Sequence, residues 1–258
     1  MDPKAARRVS AAAARASTAR TLLRLGRVSN LPTVWSNCVA GAALATAQPD
    51  WKLGIFAAVS MSVVYTGGMF LNDAFDHRLD TTLGAQRPIA SGAIGAPAVY
   101  VLGSLQLGLA LLVVALAPVW LGGGFDAPAF ISAIGLCALV VLYNAWHKDN
   151  PASPVLMAGC RALVYVTVGL LLSRAAPLPM LWFGAAVLVL YVVGLTWLAK
   201  LEARGLRLRN FGGFATFIAG ISLVDAALLV GIGRFEWALG AALGFPATLA
   251  LQRWVRGT

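Results

Sequence analysis

Only ten carboxylates are spread over the 258 residues, and three of them fall within eight positions, in Asn72-Asp73-Ala74-Phe75-Asp76-His77-Arg78-Leu79-Asp80. On a helix, Asn72, Asp76 and Asp80 repeat at i, i+4 and i+8, and Asp73 stands three residues before Asp76, so their polar atoms share one face. Carboxylates this close repel one another, and a cation is expected between them. Hard oxygen donors suit Mg2+, which keeps several waters and takes further ligands from substrate phosphates. The pattern therefore points to a phosphorylated substrate. A solvated acidic turn between two helices is the competing reading, and the strongly apolar run just before the cluster argues against it.

The elements that must position this face are set by composition. With 59% hydrophobic and 12% charged residues the chain reads as an integral membrane protein. Roughly 20 apolar residues cross the hydrocarbon core, and the runs able to do so are 30–47, 53–72, 96–117, 127–146, 154–173, 178–199, 211–231 and 236–254. The fold class expected is all-α, a polytopic transmembrane bundle of about eight spans. The first run is the weakest of these, with Asn30, Pro32, Ser36 and Asn37 in it.

Lys and Arg are distributed unevenly over the connections. Sixteen lie in the leading arm, the tail and the alternate connections that hold Arg78, Arg87, Lys148, Lys200 and Arg204. Only Lys52, Arg174 and Arg234 lie in the others, and Arg161 falls inside a span. This asymmetry predicts that both termini and the acidic stretch are cytoplasmic. The net charge of +10 is thereby explained by topology and needs no nucleic acid. Residues 1–29 read as a basic cytoplasmic arm, disordered at first and then amphipathic where it meets an anionic membrane face, ahead of a transmembrane domain over 30–258. The arm has no aromatic residue among its charges, as a nucleic-acid-binding tail would, and no cleaved-signal pattern. Cys38, Cys137 and Cys160 all fall in apolar runs and read as small core residues, without disulfide or CxxC metal spacing.

The run Asn72-Asp73-x-x-Asp76-x-x-x-Asp80, at the cytoplasmic end of the second span and followed by Arg87-Pro88-x-x-Ser91-Gly92, resembles the first aspartate-rich signature of the UbiA family of intramembrane prenyltransferases. Arg27-Val28-Ser29-Asn30-Leu31-Pro32 is similar to that family's segment leading into the first span. Tyr143-Asn144, with Lys148 behind it, is similar to the end of the family's fourth helix. The resemblance implies a helical bundle around a central cavity, with Mg2+ and a prenyl diphosphate bound at cytoplasmic acidic motifs. It also implies an isoprenoid tail in a lipid-facing channel and transfer of the prenyl group to a lipophilic, electron-rich acceptor. Carried over, Asn72, Asp73 and Asp76 would hold the metal-diphosphate, Asp80 would support them as a further metal ligand, and Arg87 would lie near the leaving group. Lys148 and Arg161 join the expected diphosphate contacts.

Two features depart from the family pattern. Eight apolar runs stand where nine spans are usual, and the loop after the sixth run reads Thr196-Trp197-Leu198-Ala199-Lys200-Leu201-Glu202-Ala203-Arg204-Gly205 in place of a second acidic motif. Glu202 alone remains there as a possible half-site. Lys200 and Arg204 could hold diphosphate oxygens directly by charge, or serve only as positive-inside residues. The alternative to a transferase is a protein of the same fold that binds or carries an isoprenoid or another hydrophobic metabolite; a small-solute transporter would show broken helices in matching halves. Asp225, deep in the seventh run, is a functional candidate or a helix-to-helix hydrogen-bonding residue. His147 is expected at the membrane edge as an interfacial residue. Tyr65, Phe70, Tyr143, Tyr165 and Tyr191 could line a tail channel and shelter a cation.

Overall fold

The structure is a computed structural model that describes residues 18–85, 87–148, 150–173, 179–203 and 214–255, apart from the side chains of 200–203 and 214. A short helix over residues 18–25 (α1) and a 3-10 turn at Val28–Asn30 lead into α2 (Leu31–Ala45). Then follow α3 (Trp51–Thr82), α4 (Ala96–Trp120), α5 (Ala127–Trp146), α6 (Ser153–Ser173) and α7 (Pro179–Ala203). The chain closes with α8 (Phe214–Ala219), α9 (Ile221–Gly231), α10 (Phe235–Ala242) and α11 (Gly244–Gln252). The described residues contain no strand. That agrees with lipid as solvent, in which a helix satisfies its own backbone hydrogen bonds.

Five helices, α3 to α7, are long and apolar enough to cross a membrane. The other three runs form shorter helices, two of them interrupted, and the interruptions have local causes. The Tyr191 hydroxyl donates to the Phe217 carbonyl at 2.8 Å, which takes an acceptor out of the helical ladder between α8 and α9. Pro246 has no N–H to give to residue 242, and the helix breaks at Leu243 between α10 and α11. Backbone angles at Gly220 and Leu243 stay right-handed helical, so each pair continues in the same direction through its break.

A helix that carries Thr33, Ser36 and Asn37 lies at the centre of the bundle. α2 buries twelve of its fifteen residues, whereas the more apolar α4 buries seven of twenty-five and turns the rest outward. Two apolar clusters meet on α2 and α6. Val34, Cys38 and Ala42 with Val164, Val168 and Leu171 belong to the cluster shared with α3, α4 and α5, while Ala40, Leu44 and Tyr165 belong to the one shared with α7, α9 and α10. The polar atoms of α2 therefore face protein instead of lipid.

α3 fixes where the acidic face emerges. Its 32 residues, at about 1.5 Å each, reach well beyond a hydrocarbon core of about 30 Å, so its last turns project into the interfacial layer. Asp50 caps its other end, accepting from the Lys52 and Leu53 backbone N–H groups at 2.9 and 3.3 Å. Connections expected on the same side do meet. Arg234 donates to the Ala47 carbonyl at 2.7 Å at one end of the bundle, and Gln252 donates to Asn30 at 2.9 Å at the end that carries the acids.

The second half of the expected basic arm is folded. Leu25 is fully buried against Phe70, Ala74 and Val99, which lays α1 across α3 and α4. Residues 1–17 lie outside the described residues.

Close packing of α3 on α4 rests on two glycines. A Cβ on Gly67 would sit 3.0 Å from the Gly103 carbonyl oxygen, and one on Gly103 would sit 3.1 Å from that of Gly67 and 2.8 Å from Leu71 Cγ. Gly103→Leu should therefore lower stability by about 1–3 kcal/mol through overpacking. Thermal unfolding in detergent checks this, with Gly108→Leu as the control because a Cβ there meets nothing within 4 Å.

Candidate functional site

Asn72, Asp73, Asp76 and Asp80 lie on one face of the last turns of α3 and are 7%, 3%, 6% and 8% exposed. Burying three carboxylates together requires opposite charge close by. That charge comes from three separate segments. Arg27, just before the 3-10 turn, places Nη2 3.4 Å from both Asp73 Oδ1 and Asn72 Oδ1. Arg87, in the loop after α3, places a single atom, Nη1, 3.3 Å from Asp73, 3.6 Å from Asp76 and 2.9 Å from Asp80. Lys148, beyond the end of α5, brings Nζ to 2.7 Å from Asp76 Oδ1.

Two of these contacts carry features that spacing does not signal. Arg27 has φ 43° and ψ 46°, the only positive φ outside glycine among the described residues. A left-handed conformation there costs of order 1 kcal/mol, and the surrounding contacts must hold it. His147, expected only as an interfacial residue, belongs to the site. Its Nε2 is 3.5 Å from Asp76 Oδ2, its Nδ1 is 3.2 Å from the Asn144 carbonyl, and its ring stacks on Tyr143 with centroids 5.1 Å apart. Both ring nitrogens thus face oxygen acceptors, which favours the protonated form. The hydrogen bond to Asp76, with that carboxylate's charge, raises the imidazole above its ordinary value.

The three carboxylates converge on one cationic point, which is what a metal site on this face requires. Among the described residues no three His, Cys, Asp or Glu side chains stand close enough to enclose a metal ion. Mg2+ does not need such an enclosure. It binds through one or two carboxylates, retains waters and uses substrate phosphates. The oxygen donor set fits a hydrated Mg2+ shared with a diphosphate and does not fit an all-protein cage.

Directly beneath the acids lies a cavity of about 90 Å3, measured as room for the centre of a water molecule, where one water needs roughly 10–15 Å3. Its walls come from α2, α3, α5 and α6, and Val34, Met61, Val64, Leu136, Val140 and Val164 make it largely apolar. Of the aromatic residues singled out, Tyr65 and Tyr143 line it; Phe70 belongs to the α1 contact, Tyr165 is fully buried outside it, and Tyr191 bonds to the Phe217 carbonyl. Asn144 links the two compartments. It lines the cavity, accepts from Asn72 Nδ2 at 3.2 Å and donates to the Gly68 carbonyl at 3.0 Å.

The other expected site residues divide into two groups. Arg161 lines the cavity, and its hydrogen bonds go to Asn37 and Thr33, with none to the acidic face. Lys200 and Glu202 sit in the last turn of α7, but their side chains and the whole of Arg204 lie outside the described residues.

No family model matches the chain. Protoheme IX farnesyltransferase of Chloroflexus aurantiacus (strain ATCC 29366 / DSM 635 / J-10-fl) is 26% identical over 125 residues, 47% of this chain and 20% of that protein. Protoheme IX farnesyltransferase 1 of Cenarchaeum symbiosum (strain A) is 30% identical over 132 residues, 49% of this chain and 42% of that protein. The chain thus spans a fifth and about two fifths of the lengths of these two relatives. Among solved structures, digeranylgeranylglyceryl phosphate synthase superposes with a TM-score of 0.60 at 18% identity over 90% of this chain and 87% of that one. A UbiA homologue from Archaeoglobus fulgidus bound to DMAPP and Mg2+ gives 0.58 at 17% identity, over 91% and 86%. The apo form of a UbiA homologue from Aeropyrum pernix K1 gives 0.57 at 14%, over 88% and 96%. An all-helical membrane bundle with this architecture has the UbiA fold.

Asn144 holds the acidic face and the cavity wall in register. Asn144→Ala would remove the bonds to Asn72 Nδ2 and the Gly68 carbonyl, and stability should fall by about 1–3 kcal/mol, read as a lower thermal midpoint in detergent. Tyr143→Phe removes a hydroxyl 4.0 Å from Met157 Sδ and should change the midpoint little.

Proposed function

We propose that this protein transfers a prenyl group from an allylic prenyl diphosphate to a lipophilic, electron-rich acceptor, most simply an aromatic one, inside the membrane. The observation that carries this reading is the direct contact between an oxygen-rich, cation-binding face and an apolar cavity, joined at Asn144. A prenyl diphosphate has the same two-part character, a densely charged head on an apolar tail. The names of the relatives support the reading, since two are farnesyltransferases and one UbiA homologue is bound to DMAPP and Mg2+.

Asp73, Asp76 and Asp80 would hold Mg2+, with Asn72 beside them. When bound, the ion supplies neutralising charge for the diphosphate leaving group. Arg27, Arg87 and Lys148 already lie against the carboxylates and can exchange them for phosphate oxygens as the substrate enters. Lys200, in the last turn of α7, and Arg204, which follows in sequence, would complete this cationic side in place of the family's second acidic motif. Cleavage of the allylic carbon–oxygen bond sends its electron pair out with the diphosphate. The acceptor then supplies the electron pair for the new carbon–carbon bond and loses a proton. The apolar cavity keeps water from the cation, and the rings of Tyr65 and Tyr143 offer it a negative face.

Binding of geranyl diphosphate to the detergent-solubilised protein, with and without Mg2+, tests the site. Asp73→Ala and Asp76→Ala should each abolish Mg2+-dependent binding while the protein keeps its helical circular dichroism. Equal binding by both variants and the parent would reject the metal-diphosphate assignment.

Charge asymmetry assigns the acidic end to the cytoplasm. Thr82 and Gln48 are exposed at opposite ends of the bundle. In a cysteine-free background, Gln48→Cys should react with an impermeant maleimide on intact cells and Thr82→Cys only after the membrane is breached. The reverse pattern would invert the topology.

A further inference from the structure

Arg161 lies eight residues along α6 from Ser153, so at about 1.5 Å per residue it is roughly 12 Å deeper than the helix end that faces the acids. A guanidinium at that depth is costly unless something uses it. Its surroundings are unusual for a charge that is merely neutralised. Nη1 donates to Asn37 Oδ1 at 2.8 Å and Nη2 to Thr33 Oγ1 at 3.1 Å, and both acceptors are neutral. Asp225, fully buried on α9, is the nearest source of compensating charge on this side, but it meets Arg161 only through Asn37, whose Nδ2 donates to Asp225 Oδ2 at 2.8 Å. The other Asp225 oxygen accepts from the Tyr165 hydroxyl. Among the described residues no carboxylate lies within 4 Å of Arg161.

A buried arginine whose role is structural generally faces its carboxylate directly, in a two-pronged pair. Here an amide stands between them. Asn37 and Thr33 hold the guanidinium from the α2 side, and Asp225 keeps the region near neutral without closing on it. An arginine has five N–H donors and these contacts use two. Arg161 also lines the cavity beneath the acidic face, with the Tyr65 ring 5.7 Å from its Cζ. The remaining donors and an aromatic wall thus belong to the same chamber.

We propose that Arg161 anchors the acceptor, and that the acceptor carries an anionic oxygen group, a carboxylate or a phosphate, bound by this guanidinium beside Tyr65. The chamber then has two ionic ends. The diphosphate is held at the α3 acids, the acceptor's oxyanion about two turns deeper at Arg161, and the reacting carbons meet between them. This rests on the transferase reading for the word acceptor; the anion site itself is defined by Asn37, Thr33, Tyr65 and Arg161 alone.

The test is equilibrium binding to the full chain in detergent, read by tryptophan fluorescence and by thermal shift. The probes are 2-naphthoate with 2-naphthamide, octyl phosphate with octanol, and geranyl diphosphate with Mg2+. At least one anion should bind at least about tenfold more tightly than its neutral partner, the scale of a charge-assisted hydrogen bond. Preference for naphthoate names a ring carboxylate, and preference for octyl phosphate names a phosphate-bearing lipid. Arg161→Gln should erase that preference and still bind geranyl diphosphate, whereas Asp73→Ala should lose geranyl diphosphate and keep the anion. Arg161→Lys, which keeps the charge and loses the fork, should fall between. Equal binding of anions and neutral partners by the parent protein overturns the proposal without any variant. Parallel loss of geranyl diphosphate and anion binding in Arg161→Gln also overturns it, by assigning Arg161 to the diphosphate. Anion binding through Arg161 with no geranyl diphosphate binding in any preparation would sustain the anion site and reject the transferase reading.

Discussion

A charge surrounded by lipid and apolar side chains must find its counter-charge inside the protein, and this constraint organises the molecule. Asp73, Asp76 and Asp80 are almost fully buried on one helix face, so they can exist there only if cations come to them. Arg27, Arg87 and Lys148 arrive from before α2, after α3 and after α5. Three connections are thereby pinned to the end of one long helix. The same ion pairs hold these side chains in place, and on the proposed reading a diphosphate would offer the cations an equivalent set of oxygens.

Placing the polar residues of α2 at the centre follows from the same rule. α2 carries Thr33, Ser36 and Asn37, which would be unsatisfied against lipid tails. Buried between α3, α6 and α9 they bond to Arg161, Ser222 and Asp225. The small residues Ala40, Gly41, Ala42 and Ala43 let neighbours approach closely, and a Cβ on Gly41 would sit 2.9 Å from the Tyr165 carbonyl oxygen. Close approach in turn brings Asn37 within reach of both Arg161 and Asp225. Packing and polar satisfaction are here one arrangement.

The cavity occupies the space that this arrangement leaves between α2, α3, α5 and α6. Its two ionic boundaries differ in kind. At the α3 end, carboxylates and cations alternate and can be rearranged by a metal-bound ligand. Deeper in, a single guanidinium is held by neutral partners with its counter-ion one residue away. The first suits a leaving group whose charge grows during reaction, and the second suits a permanent anion that has only to be positioned.

The all-helical membrane class, the approximate ends of the apolar runs and the acidic face of α3 were determined by sequence alone. Each depends on local periodicity: hydrophobic length against bilayer thickness, and i, i+4 spacing on a helix. The partners of that face were not so determined. Arg27 is 46 residues from Asp73, and His147 reaches Asp76 from a different helix, so no local pattern joins them. Asn37 and Asp225 are 188 residues apart, and only the packing of α9 on α2 made a single network of them. The breaks at Gly220 and Leu243 had the same origin in part: Pro246 is visible in the sequence, whereas the Tyr191 hydroxyl that takes the Phe217 carbonyl comes from another helix. Local sequence decided what each segment could be, because backbone geometry and burial period act over a few residues. Tertiary structure decided which charges meet, because a buried charge takes whichever partner helix packing brings within a few ångströms.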